Sequence, residues 1–151
     1  MSLSDDVKTL FEDDEDLMDL LTGGVHNDVE EISRQNTPTA FDANQELMPC
    51  ALIKFGTETR LRSGIPNSVQ TPLTLYFYQR DDYDVIEPAM DLAFNDLNEQ
   101  KIGANVWNIE FDIAVHQQRD VALDCALGML RFVAKRMRCL AEIASPLRGS
   151  Q

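Results

Sequence analysis

The chain has 151 residues and carries 26 Asp plus Glu against 13 Lys plus Arg, a formal net charge of −13 at pH 7. That length suits one core, and the acidity argues against a protein that grips nucleic acid by its phosphates. No apolar run reaches the roughly 18 residues of a membrane span, and the N-terminus is acidic where a secretion signal is basic and then apolar, so a cytoplasmic, soluble protein with no membrane partner is expected.

Residues 4–144 read as a single domain, with 1–3 and 145–151 as flexible termini. Ser4 stands before Asp5 and Asp6, and Val7, Leu10, Phe11, Leu17, Met18 and Leu21 follow at helical spacing until Gly23 and Gly24. The unbroken run Glu12, Asp13, Asp14, Glu15, Asp16 either kinks this segment or splits it into two short helices. A calcium loop is excluded there, because the alternating ligands and the glycine of such a loop are missing.

From Val25 to Met48 the chain is polar and poorly periodic, a long connection in which only Val29–Ile32 has the makings of a short strand. Cys50–Phe55 alternates as a strand, with Ala51, Ile53 and Phe55 opposing Leu52 and Lys54. Residues 56–72, with Gly56, Gly64, Pro66 and Pro72, read as a long hairpin arm whose tip carries Arg60 and Arg62. Leu73–Arg80 is a strand greasy on both faces and therefore central.

Asp84 and Glu87 have capping-box spacing ahead of Val85, Ile86, Met90, Ala93, Phe94 and Leu97, which predicts a helix of about 14 residues. Trp107, Ile109, Phe111, Ile113 and Val115 then alternate with Asn108, Glu110, Asp112 and Ala114 as a strand with one buried face. The helix between carries the chain back across the sheet, so strands 73–80 and 106–117 are expected to run parallel, joined by a right-handed crossover. Asp120 is placed to cap a last helix, Val121 to about Ile143, with Val121, Cys125, Met129, Phe132, Val133, Met137 and Leu140 on one broad apolar side. Arg131, Lys135, Arg136 and Arg138 would complement the end of its dipole.

The predicted class is thus α+β: a single mixed β-sheet packed against helices, with an acidic N-terminal helix, a strand-helix-strand unit and a long C-terminal helix.

Little in the chain signals chemistry. His26 and His116 have no ligand spacing to each other or to a cysteine, and no phosphate-binding glycine loop, Gly-x-Ser-x-Gly elbow or zinc-protease pair occurs. Cys50, Cys125 and Cys139 form an odd set without a Cys-x-x-Cys pair, the usage of small buried hydrophobes in a reducing compartment. On one helix, Cys125 and Cys139 would lie about 21 Å apart, too far for a bond or a shared metal. No catalytic, cofactor-binding or metal-binding residue is assigned, and an enzyme is not expected.

What does stand out is the order of elements together with several strings. Leu10-Phe11-Glu12-Asp13-Asp14-Glu15-Asp16-Leu17, the stop Leu20-Leu21-Thr22-Gly23-Gly24-Val25, the strand Pro49-Cys50-Ala51-Leu52-Ile53, and Leu73–Arg80 followed by a helix and a Trp-led strand resemble the tail terminator and tail-completion proteins of long-tailed bacteriophages. The resemblance covers about residues 7–118, and the expected helix after residue 120 departs from the shortest members. It implies a mixed sheet against helices, no catalysis, and a homo-oligomeric ring of six copies that caps the tail tube and meets the head connector. The protein would then be made in the cytoplasm and end in the virion tail. Within such a ring, Arg60 and Arg62 would reach Glu12, Asp13, Asp14, Glu15 and Asp16 of the next subunit. An acidic interaction or DNA-mimic module without catalysis, and a small enzyme with a paired-acid cleft, are the other classes compatible with the composition.

Overall fold

The computed structural model describes residues 2–61, 67–103 and 106–137. Their elements, in chain order, are α1 (Leu3–Glu12), α2 (Glu15–Leu20), β1 (Val25–His26), a 3-10 turn (Pro38–Ala40), β2 (Cys50–Phe55), β3 (Thr59–Arg60), β4 (Ser68–Gln79), α3 (Ile86–Leu97), β5 (Lys101–Ile102), β6 (Trp107–Asp120) and β7 (Cys125–Met137). The strands form one mixed sheet in the order β1-β2-β4-β7-β6-β5, with β3 beside β4. Among the described residues only β1 and β2 pair in parallel, and every other ladder is antiparallel.

The expected α+β class with a long C-terminal helix is corrected. The fold is predominantly β, a curled mixed sheet with short helices on one face, and residues 125–137 are its longest-paired central strand, bonded to both β4 and β6. Residues 138–143 of the expected helix lie outside the described residues, as do Cys139, Leu140 and Arg138. The mistake has a physical source. Ala, Leu, Met, Arg and Lys are good helix formers, and the apolar residues of 121–137 also fit a 3.6-residue period. The buried set in the structure is instead Ala126, Gly128, Leu130, Phe132 and Ala134, a strict alternation, and twelve residue pairs with β4 outweigh local preference. Asp120 does cap, but it caps a turn: its Oδ1 accepts from Leu123 N at 2.8 Å and closes the β6–β7 hairpin.

β4 and β6 do run parallel, since both are antiparallel to β7, yet they are not neighbours because β7 is inserted between them. The Trp107 strand keeps its expected face only through Phe111. A bulge at Asp112 changes the register from Phe111 opposite Phe132 to Ile113 opposite Arg131, so Ile113 and Val115 turn to the other face and Ala114 turns inward. Ile113 is accordingly 42% exposed, while Phe111 stays on the helix face against Phe94 and Phe132 and is 41% exposed.

Two cores follow. On the helix face, Val7, Phe11, Leu17 and Leu21 of the N-terminal segment and Ile86, Ala89, Met90, Ala93 and Leu97 of α3 cover Ala51, Ile53, Leu73, Leu75, Phe77, Leu130, Phe132 and Ile109. Each large side chain fully buried there contributes about 1.5–3 kcal/mol. α3 lies close to β7 because residue 128 is glycine: a Cβ there would sit 2.5 Å from Met90 Sδ. On the other face, the 27–48 connection packs Ile32, Ala40 and Phe41 over Cys50, Leu52, Tyr78 and Cys125 at one end of the sheet. Val29–Ile32 forms no strand; the short parallel strand lies just before it, at Val25–His26.

Local details refine the reading. The cap of α1 is Ser2, whose side chain accepts from Asp5 N, two residues before the expected Ser4. α3 has no side-chain cap of its own; Gln79 at the end of β4 supplies one, its Oε1 accepting from Val85 N and Ile86 N at 3.0 and 3.2 Å. The 56–72 arm is a hairpin in so far as β3 pairs with Val69 and Gln70 of β4.

Candidate functional site

The acidic run is first of all a piece of local architecture. It splits the N-terminal segment into α1 and α2: Asp13 ends α1, and Asp14 caps α2, its Oδ1 accepting from Leu17 N at 3.2 Å. Glu15 and Asp16 then occupy the first turn of α2, where the positive end of the helix dipole favours them. Glu12 pairs with Lys8 across one helical turn at 3.6 Å. Glu12, Asp13, Glu15 and Asp16 are exposed, so four carboxylates project from this corner into solvent.

Asp14 is the exception. Its carboxyl is a neighbour of Asp96 on α3, and Asp96 Oδ2 is buried with no donor in reach among the described residues. Burial, then the hydrogen bond and negative charge of Asp14, push the Asp96 pKa up to about 7. Asp14, which accepts the hydrogen bond from the protonated Asp96, is held below its ordinary value. The pair shares one proton, and it ties α2 to α3.

Arg60 sits in β3, exposed, opposite Val69. Arg62 lies outside the described residues. Among the described residues no ion pair joins Arg60 to the Glu12–Asp16 corner within the chain.

The strand assignment redistributes the basic residues once placed on a helix end. Arg136 points to the helix face, with its guanidinium 4.5 Å over the ring of Trp107. Arg131 and Lys135 point to the opposite face, and Lys135 pairs with Glu110 at 3.1 Å. Register lines up Lys54, Thr74, Arg131 and Ile113 in one row across β2, β4, β7 and β6, with Tyr76, Met129 and Val115 in the next. A groove of about 420 Å³ runs along these rows, lined by Lys54, Phe55, Gly56, Pro72, Thr74, Tyr76 and Arg131. Lys54 Nζ donates to the Glu30 carbonyl at 2.7 Å, which holds it on the rim. Sequence reading missed this groove, since it exists only once β7 is a strand; the alternation of Leu127, Met129, Arg131, Val133 and Lys135 was the available signal.

His26, Cys50 and Cys125 make structural contacts. The His26 Nε2 is 2.8 Å from the Gly23 carbonyl, and His116 is exposed on β6. Cys50 and Cys125 are buried free thiols of the second core, so Cys125 belongs beside Cys50 and not on a helix with Cys139. Burial pushes both thiols up, Cys125 to about 12. Among the described residues no three His, Cys, Asp or Glu side chains gather as a metal site, and no helix is long and apolar enough to cross a membrane.

An open mixed sheet with short helices on one face, two charged surfaces and buried thiols defines a class of fold. No family model matches the chain, and no curated protein sequence does. Among solved structures the chain is similar to one from the virion of a native gene transfer agent particle, with a TM-score of 0.64, at 12% identity, over 91% of this chain and 96% of that one. At that identity the likeness is one of fold.

Proposed function

We propose that this chain is a structural subunit of a phage-type virion, of the tail-terminator kind: six copies close a ring that caps the tail tube and joins it to the head connector, without catalysis. The observation that carries the reading is the fold likeness to a chain of a gene transfer agent virion over nearly the full length of both. The strings around the acidic α1–α2 corner and the β2 and β4 strands support it as a resemblance to tail terminators. The strong negative charge suits a subunit that stays soluble before assembly and lets nucleic acid pass without sticking.

Sedimentation of the purified protein over a range of concentrations tests the ring. Six copies of the 17.1 kDa chain give a particle of about 100 kDa. A monomer at every concentration refutes the ring and favours an acidic interaction or DNA-mimic module in its place.

A further inference from the structure

We propose that the groove on the open face of the sheet receives the acidic α1–α2 corner of a second copy of this chain, with Arg131 as its anchor. The inference rests on the ring reading and specifies which surfaces make the ring.

Arg131 stands in the middle of the central strand β7, and its Nε is buried without an acceptor among the described residues. Among the described residues no carboxylate lies within ion-pair distance of it, whereas Lys135 on the same face has Glu110. A half-buried cation with an unmet donor is costly to leave so, and the cost is relieved by a carboxylate from outside. Lys54 adds a second positive charge to the groove, and no acid lines it. Tyr76 and Pro72 supply an apolar floor.

The complementary surface is on the chain itself. Glu12, Asp13, Glu15 and Asp16 project from the corner between α1 and α2, and those helices cover the opposite face of the sheet. The sheet separates acid corner and basic groove, so they meet only between molecules. A patch that binds a different patch on the next copy is heterologous, and such contacts repeat head to tail until a ring closes.

The test is analytical ultracentrifugation of the full chain at low and high salt, for the wild type, Arg131→Gln, Arg131→Glu and the combination of Arg131→Glu with Glu15→Lys and Asp16→Lys. The expected result is a wild type that assembles, single variants whose assembly needs about tenfold more protein, a larger defect for Glu than for Gln, and recovery in the combination. Arg131→Gln keeps the wild-type circular dichroism and melting temperature, which separates loss of contact from loss of fold. If the wild type assembles and Arg131→Gln assembles equally well, the groove is not the interface, although the ring stands. Dissociation by Arg131→Glu without recovery in the combination removes the acidic corner as the occupant. A wild type that is monomeric throughout removes the ring and this contact with it.

Discussion

Replacing Phe132 by Ala tests the assignment of residues 125–137 directly, because a strand and a helix put Phe132 and its neighbour Val133 in different relations. A helix places both on one broad apolar side. The strand sends Phe132 into the helix-face core, where it is 0% exposed, and Val133 to the open face. The Phe132 ring lies 5.8 Å from Phe111 and 6.2 Å from Phe94, centroid to centroid. Truncating a buried Phe costs about 3–5 kcal/mol. Phe111 is 41% exposed, so water and side-chain movement can fill part of the hole, which favours the lower end, about 3 kcal/mol. For a chain of this length that lowers the melting temperature by about 6–12 °C. Val133→Thr, which keeps shape and adds a hydroxyl on a half-buried face, is expected to cost less than about 1 kcal/mol. Urea and thermal unfolding of both variants decide the matter. Equal losses at 132 and 133 refute the strand, its register and the groove built on it.

The close contact of α3 with β7 predicts that Gly128→Val loses about 1–3 kcal/mol through overpacking against Met90, and that adding Met90→Ala returns part of it; thermal melts showing simple additivity of the two changes refute the contact. The shared proton of Asp14 and Asp96 predicts a pH dependence. Because the Asp96 pKa is raised from 3.8 unfolded to about 7 folded, its contribution is full below pH 4 and is lost as pH rises through 7, while Asp14, held low, titrates below that window. Solvent screens this half-buried pair, so the fall is about 1–2 kcal/mol. Asp96→Asn, which donates to Asp14 at any pH, should flatten the curve and be the more stable protein at pH 8; a wild-type curve that stays level from pH 4 to 8 refutes the shared proton.

The short-range features of this chain were legible from residue order alone. Cys50–Phe55 as a strand, α3 near Ile86–Leu97, the split at the acidic run, the central place of the Leu73 strand and the hairpin arm all rest on alternation, capping and turn chemistry that act within about ten residues. Three features were decided by tertiary structure. Residues 121–137 satisfy a helical period and an alternating one equally well, and only the long ladders to β4 and β6 choose between them. Asp112 is an ordinary member of an alternating run until β7 lies opposite it, when the bulge sends Ile113 and Val115 to the far face. Arg131 reads as a helix-end charge in the sequence and becomes a cation without an ion-pair partner among the described residues, beside Lys54 and Thr74, which are brought to it from β2 and β4. Local patterns record which side chains avoid water; which strand completes the sheet, and therefore which charges share a face, depends on pairings between segments dozens of residues apart.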